Sequence, residues 1–250
     1  MGRMQPARSA TLQATTRTHA ETTQGHGPPE GSMPLYRFVW RLTRLHLRLW
    51  HRMKVEGIEH IPTTGGIILA ANHQSHVDPP LLGAACLRPV HFLAKEDLFK
   101  VPVLKWFLPQ IGQVPVVRDT GGGGMALKAG VRLLKHGKVL GVFPEGTRSP
   151  DGNRQKARTG VVVLAALGDA PIVPAYIYGT RAAMPKGAKL PIPGKAVGIR
   201  FGPPITLTPE QRDLKDRTAM EQTAELVMDY IFALADRPES TQGPAGPQPK

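Results

Sequence analysis

Short apolar runs alternate with helix-forming segments along most of the chain, and this alternation constrains the fold more than any other feature. Predicted strands cover residues 55–61, 66–71, 91–94, 113–117, 139–143, 172–178 and 197–201. Predicted helices cover residues 79–87, 98–108, 125–136, 160–167 and 208–234. Helices between short apolar strands are typical of parallel sheets, whose strands need long crossover connections. We therefore expect a single α/β domain with a largely parallel or mixed central sheet covered by helices.

The two ends of the chain differ from this body in composition. Residues 1–32 and 237–250 are rich in polar residues, Gly and Pro, which cannot supply a hydrophobic core. Both are therefore predicted to be disordered tails. The folded domain is predicted to span residues 55–236, and a helix over residues 33–54 precedes it. Met33 is an alternative start of the chain, which would make the first tail a translated leader.

Charge and cysteine content narrow the classes of partner and site. The 250 residues include 32 Lys and Arg against 19 Asp and Glu, a net charge of +13. Such an excess indicates an anionic partner, namely phosphate, nucleic acid or an acidic membrane surface. The single cysteine, Cys86, excludes a disulfide framework and any zinc or iron–sulfur site built from several cysteines. Apolar runs fall short of the roughly 18 residues that suggest a spanning helix, and we expect neither such a helix nor a signal peptide.

Five arginines share one side of the predicted helix over residues 33–54. They are Arg37, Arg41, Arg44, Arg48 and Arg52. At about 100° per residue, their spacing places them within a sector of roughly 80°. The opposite side carries Leu35, Phe38, Val39, Leu42, Leu45, Leu49 and Met53, with Trp40 and Trp50 towards one flank. This pattern predicts a helix that lies in the interface of an anionic membrane, and the alternative is an ordinary helix whose apolar side covers the domain's own core.

A histidine and a carboxylate follow the most apolar of the predicted strands. Residues 66–71 lead directly into Asn72-His73-Gln74-Ser75-His76-Val77-Asp78. His73 thus stands at the carboxyl end of a strand, where open α/β sheets bind ligands. Histidine is suited to accept a proton near neutral pH, and Asp78 on its other ring nitrogen would fix the tautomer. In the alternatives, Asp78 only caps the next helix, or His73, His76 and Asp78 bind a metal. The tighter His-x-His-x-Asp-His run of binuclear metallohydrolases is absent, so no metal is predicted.

A second polar constellation follows the strand over residues 139–143. It reads Pro144-Glu145-Gly146-Thr147-Arg148-Ser149. Gly146 allows close approach to the backbone, while Thr147 and Arg148 offer donors to an anion. Lys95 and Arg118 also follow predicted strands, so parallel strands would bring three cations to the edge that carries His73. This placement predicts a phosphate held beside a base, and the alternative is that each cation is a solvated loop charge. Residues 121–124, four glycines, lack the spacing of a Walker loop and are interpreted as a mobile connection.

These motifs together resemble those of the glycerolipid acyltransferases. Asn72-His73-Gln74-Ser75-His76-Val77-Asp78 is similar to their Asn-His-x-Ser-x-x-Asp signature, and Phe143 to Ser149 match their third block without a change. Lys95-Glu96 with residues 112–118 resembles the second block, and Ile172-Val173-Pro174-Ala175-Tyr176 the fourth. Order and spacing also agree, so the resemblance covers roughly residues 50–205. The subgroup with the greatest resemblance is 1-acylglycerol-3-phosphate acyltransferase.

The resemblance implies an acyltransferase domain over residues 55–236. It would move a fatty acyl group from acyl-CoA or acyl-carrier protein to the hydroxyl of a lysophospholipid, with no bound cofactor. His73 would take the hydroxyl proton and Asp78 would orient His73. The positions expected to hold the acceptor's phosphate and glycerol are Lys95, Arg118, Glu145, Gly146, Thr147 and Arg148. Glu145 is expected to steer an arginine or to bind a glycerol hydroxyl.

We expect lysophosphatidic acid as the acceptor and phosphatidic acid as the product. The enzyme would be a peripheral protein on the cytoplasmic face of a membrane and would bind no nucleic acid. The alternatives are an acyltransferase for another lysolipid or glycerol-phosphate acceptor, and a lipid-binding module without catalysis. His76 is not part of the signature, and the pattern assigns it no role.

Overall fold

The computed structural model describes residues 34–116, 123–185, 187–188 and 190–235. The predicted tails, 1–32 and 237–250, lie outside the described residues, as do Met33, Arg118, Gly121 and Gly122. Lys95 is described as the last residue of a strand, without its side chain.

Seven strands of the described chain form one mixed sheet. They are β1 Lys54–Glu56, β2 Ile67–Ala71, β3 Val90–Lys95, β4 Val114–Val116, β5 Val139–Val142, β6 Ile172–Tyr178 and β7 Gly198–Phe201. The strand order is β1-β7-β6-β2-β5-β3-β4. From β6 to β4 every neighbouring pair is parallel, whereas β7 is antiparallel to β6 and β1 is parallel to β7. The prediction of one α/β domain with a largely parallel or mixed sheet is confirmed.

Helices cover both faces of this sheet. They are α1 Pro34–His51, α2 Asp78–Ala85, α3 Pro102–Gln110, α4 Gly123–Lys135, α5 Gly160–Gly168, α6 Thr180–Ala183 and α7 Arg217–Phe232. Alternate residues of β2 divide the core, because successive strand side chains point to opposite faces. Ile67 and Leu69 pack with α1 and α2, whereas Ile68 and Ala70 pack with α4, α5 and α7. Helix α1 and helix α4 therefore lie on opposite faces of the sheet.

The predicted strand over residues 55–61 is only partly correct. Strand β1 ends at Glu56, and a 3-10 turn over Ile58–His60 follows. Gly57 stands between them with a φ of 71°, a left-handed conformation that ends the strand. A Cβ at this position would lie 2.1 Å from the carbonyl oxygen of Phe201. The close approach of β7 therefore requires glycine here and turns the chain out of the sheet.

Two predicted helices begin later than expected, because in each segment a separate 3-10 turn precedes the helix. The segment 98–108 is a 3-10 turn over Glu96–Lys100 followed by α3, which starts at Pro102, a residue suited to a first helical turn. In the segment 208–234, Thr208 and Gln211 form the reciprocal bonds of a capping box, but the turn they begin ends at Arg212. Helix α7 then starts afresh, with the Asp216 carboxylate accepting from the Ala219 N–H at 3.0 Å.

Gly123 and Gly124 are helical, which corrects part of the prediction of a mobile connection over residues 121–124. They form the first residues of α4. Among the described residues, no helix is long and apolar enough to cross a bilayer.

Helix α1 packs on the body with a face that its pattern did not predict. The buried residues are Tyr36, Trp40, Arg44, Leu47 and His51. The apolar stripe instead faces away from the body, with Phe38 and Leu49 each 63% exposed. The alternative in which this apolar side covers the core is therefore wrong. The five arginines also do not share one surface, since Arg44 is only 7% exposed.

Candidate active site

The predicted site residues that the structure describes lie at one edge of the sheet because the strands that carry them run in the same direction. Strands β2, β3, β4 and β5 are mutually parallel, so their carboxyl ends share an edge. His73 follows β2 in the centre of the sheet, and the segment 143–149 follows β5 beside it. Lys95 is the last residue of β3 at the same edge. Arg118, which lies two residues beyond the end of β4, is outside the described residues.

His73 and Asp78 are joined by a direct hydrogen bond. The His73 Nδ1–H donates to Oδ2 of Asp78 at 2.8 Å. The imidazole is 16% exposed, whereas the carboxylate is fully buried. With Nδ1 engaged as the donor, Nε2 is the ring nitrogen left to accept a proton. The pair is therefore arranged as a general base and its orienting carboxylate.

Backbone donors hold the Asp78 carboxylate in place. Oδ2 accepts from the N–H groups of Gln74 at 2.6 Å and Ser75 at 2.7 Å, in addition to His73. Asp78 is the first residue of α2, and the residue before the helix, Val77, makes no side-chain cap. The alternative that Asp78 only caps the next helix is therefore wrong, because its carboxylate closes the preceding turn.

Asn72 and Ser75 build the loop that carries His73. The buried Asn72 amide donates to the carbonyl of Ile177 at 2.9 Å and accepts from the Ile177 N–H at 2.7 Å. It thus extends the pairing of β2 with β6 by one residue. The Ser75 hydroxyl donates to the carbonyl of Met184 at 3.0 Å. Both side chains hold the loop in shape through hydrogen bonds to backbone groups. They therefore have a structural role, and His73 is the residue of this loop with a side chain placed for proton transfer.

Glu145 faces the backbone of the His73 loop. Its Oε1 accepts from the His73 N–H at 3.2 Å, and its Oε2 accepts from the Gln155 amide at 3.0 Å. The carbonyl of His73 in turn accepts from the Ser149 N–H at 2.8 Å. Burial raises the pKa of Glu145, and the hydrogen bonds from His73 and Gln155 oppose that rise. The structure thus places Glu145 as a support of His73, and the predicted contact with an arginine does not occur among the described residues.

Two aromatic rings fix the plane of the imidazole. The ring of Phe143 stacks on His73 with centroids 4.1 Å apart and an interplanar angle of 19°. Phe92 stacks behind Phe143 at 6.1 Å. Sequence reasoning missed this function of Phe143. The available signal was that Phe143 ends a buried strand adjacent to the one that delivers His73.

The turn after Glu145 lies close to two arginines, Arg148 and Arg158. Gly146 has a φ of 73°, and a Cβ there would lie 2.5 Å from Nε of Arg158. The Arg158 side chain thus lies against bare backbone, which only glycine permits. Arg148 is half-buried. Burial, followed by the charges of Arg148 and His73, lowers the pKa of His76. Arg158 was absent from the predicted cluster because it stands nine residues beyond Ser149, where the motif ends.

In the described part of the chain, no three His, Cys, Asp or Glu side chains are grouped to hold a metal ion.

Comparisons with known proteins agree with the geometry. Residues 52–178 match the family model described as Acyltransferase. A 1-acyl-sn-glycerol-3-phosphate acyltransferase of Bacillus subtilis is 34% identical over 146 residues, which cover 58% of this chain and 72% of the relative. The chloroplastic 1-acyl-sn-glycerol-3-phosphate acyltransferase LPAT1 of Arabidopsis thaliana is 32% identical over 142 residues, covering 56% of this chain and 40% of that longer protein.

A solved structure extends the likeness to the fold. The crystal structure of the 1-acyl-sn-glycerophosphate acyltransferase PlsC from Thermotoga maritima matches with a TM-score of 0.66 and 27% sequence identity. The match covers 82% of each chain.

Proposed function

Because the chain belongs to the acyltransferase family, we propose that it acylates the free hydroxyl of 1-acylglycerol-3-phosphate to give phosphatidic acid. Its donor would be a fatty acyl thioester of coenzyme A or of acyl-carrier protein. The named relatives in Bacillus subtilis and Thermotoga maritima support this acceptor. The observation that carries the proposal is the 2.8 Å bond between His73 and Asp78 at the sheet edge.

The chemistry follows from the free Nε2 of His73. This nitrogen takes the proton of the acceptor hydroxyl while the hydroxyl oxygen attacks the thioester carbonyl. The tetrahedral intermediate then expels the thiolate, which takes the proton back from His73. Asp78 stabilises the transient imidazolium and keeps the ring in place. No acyl-enzyme forms, because the acceptor itself supplies the nucleophile.

The acceptor's phosphate would bind to the cations beside Gly146. Arg148 and Arg158 flank this turn, and guanidinium groups suit the geometry of a phosphate. Thr147 is exposed and adds a hydroxyl donor. Lys95 and Arg118 belong to the same predicted set at the carboxyl edge.

The outer face of α1 supports a peripheral position on the cytoplasmic face of a membrane. Its apolar stripe, Phe38, Leu42, Leu45 and Leu49, points away from the body, and each residue is more than half exposed. Arg37, Arg41 and Arg48 flank the stripe and are exposed, which suits an anionic lipid surface. Leu190 is also exposed, on the loop whose Gly194 N–H donates to the carbonyl of Trp50 near the end of α1.

The proposal is tested with purified protein on vesicles that contain lysolipids. We expect 1-acylglycerol-3-phosphate to be consumed with hexadecanoyl-CoA and phosphatidic acid to form, as measured by mass spectrometry. His73→Ala should reduce kcat by a factor of about 10²–10⁴, because general-base catalysis is lost. Asp78→Asn is the matched variant, since it keeps the shape of the side chain and removes its charge.

The alternatives predict different outcomes. If the protein acylates another lysolipid faster than 1-acylglycerol-3-phosphate, the proposed acceptor is wrong, but the proposed acyl transfer to a hydroxyl still holds. If native protein binds vesicles but forms no product with any thioester, or if His73→Ala retains full turnover, the proposal is wrong. Unchanged vesicle binding by His73→Ala separates the loss of chemistry from a loss of folding.

A further inference from the structure

An open groove lies between α4 and α5, on the face of the sheet opposite to α1. Its volume is about 470 Å³. Apolar side chains form its floor, with Leu127 and Val131 from α4 and Val163 and Leu167 from α5. Leu167 is 48% exposed, so the floor is open to solvent. This surface has no part in the acceptor site described above.

Exposed cations form the rim of this groove. Lys128, Arg132 and Lys135 line one side of it at helical spacing, and all three are exposed. No carboxylate of the described residues forms an ion pair with any of them. The basic residues next to α7 differ, because Arg154, Lys156 and Arg217 each pair with an acid of that helix. The groove therefore offers an apolar floor beside a row of positive charge that no ion pair within the described part of the chain neutralises.

One end of the groove reaches the edge that carries His73. Helices α4 and α5 both start where strands β4 and β5 have ended, at the carboxyl edge of the sheet. Gly124, in the first turn of α4, lines the groove. Leu127 Cδ2 lies 4.0 Å from the position that a Cβ on Gly160 would occupy, two residues after Arg158. A partner in the groove would therefore stand next to the reacting edge, on the side away from α1.

We propose that this groove, the α4–α5 groove, docks an acidic helix of the acyl carrier protein that delivers the thioester. The inference rests on the proposed function, since it assigns the donor of that reaction. Complementary charge requires an acidic partner, and the apolar floor requires a partner with an apolar ridge. Helix α4 is about 20 Å long, which matches a partner helix lying along it. A bilayer does not suit the groove while it contacts the outer face of α1, because the two surfaces lie on opposite faces of the sheet.

The experiment compares two donors that carry the same acyl chain. The triple variant Lys128→Glu, Arg132→Glu, Lys135→Glu is assayed with hexadecanoyl-CoA and with a bacterial acyl carrier protein loaded with a hexadecanoyl group. We expect kcat/KM for the carrier-protein donor to fall about tenfold or more, mainly through KM, and kcat/KM for hexadecanoyl-CoA to stay within about twofold. The matched control is Lys156→Glu, Lys215→Glu, Arg217→Glu, which changes the net charge equally at exposed positions outside the groove, and it should discriminate far less.

Several results would overturn the proposal. The first is an equal loss of kcat/KM with both donors in the groove variant. The second is native protein that uses hexadecanoyl-CoA but not the carrier-protein donor. The third is a control variant that loses as much kcat/KM with the carrier-protein donor as the groove variant does. Weaker binding of the groove variant to anionic phospholipid vesicles, with both donors unaffected, would assign the groove to lipid. If native protein uses neither donor, the proposed function fails, and titration calorimetry with the acyl carrier protein still tests the groove. We then expect the native protein to bind the acyl carrier protein and the groove variant not to bind it. If the native protein does not bind the acyl carrier protein either, the docking proposal is wrong.

Discussion

The inner and outer faces of α1 reverse the usual relation between polarity and burial. The inner face buries an arginine, a tyrosine and two other residues with polar atoms, whereas the outer face exposes Phe38, Leu42, Leu45 and Leu49. An ordinary surface helix would bury its apolar stripe. The polar atoms of the inner face therefore need hydrogen-bond acceptors from the body, and the apolar outer face is the part of α1 on which the proposed membrane contact depends.

The acceptors of the inner face belong to the end of α2. The Arg44 Nη1–H donates to the carbonyl of Ala84 at 2.6 Å, and the Trp40 indole N–H donates to the carbonyl of Cys86 at 3.0 Å. The last carbonyls of a helix have no partner within the helix, so α1 satisfies groups that would otherwise be buried without one. The other end of α2 begins with Asp78. Helix α1 therefore supports the helix whose first residue is Asp78.

The largest expected effect comes from removing an inner-face ring. Trp40→Ala deletes a buried indole, its bond to Cys86 and its contact with the Arg44 guanidinium, whose Cζ lies 5.0 Å from the ring centroid. We expect the free energy of unfolding to fall by about 3–5 kcal/mol, measured by urea denaturation. If the free energy of unfolding falls by no more than it does for an ordinary surface substitution, α1 does not pack on α2. The contrast between the inner and outer faces of α1 would then no longer hold.

A smaller effect is expected when only the charge on the inner face is removed. Burial lowers the pKa of Arg44 to about 10, so the guanidinium is costly to keep there. Arg44→Met retains most of the apolar stem but leaves the Ala84 carbonyl without its donor, which should cost about 1–3 kcal/mol of unfolding free energy. Arg48→Met, at an exposed arginine of the same helix, is the matched control and should change stability by less than about 0.5 kcal/mol. Equal effects of the two variants would contradict a structural role for Arg44.

These two faces also show which parts of the molecule a sequence can predict. The strands that carry the site were located because each is a short apolar run that ends in a polar motif, and His73, Asp78 and Glu145 follow directly from those ends. Helical spacing predicted one surface for the five arginines, but Arg44 of that set is buried against α2. It could not predict the buried face, because that depends on carbonyls of α2 lying 40 residues further along the chain.

The same limit applies within the active site. The family resemblance implied that Glu145 steers an arginine or binds a glycerol hydroxyl. Its carboxylate turns inward because the His73 N–H, 72 residues earlier, and the Gln155 amide need an acceptor there. Local sequence predicts which residues reach the edge of the sheet. It does not predict which of their side chains form hydrogen bonds with the protein's own backbone and are therefore not available to substrate.

The smallest effect on folding, and the largest contrast with the inner face, is expected on the outer face of α1. Leu42→Ser with Leu45→Ser should leave the free energy of unfolding within about 0.5 kcal/mol per residue, because both side chains are already more than half exposed. Binding to vesicles of anionic phospholipid, measured by co-sedimentation, should weaken by about tenfold or more per leucine if each side chain enters the bilayer. Leu47→Ser, on the inner face, is the matched control and should instead destabilise the fold, since Leu47 is buried among residues of the core. A double variant that binds vesicles as native protein does would show that the exposed stripe serves another partner, and the reversed polarity of α1 would then need a different cause.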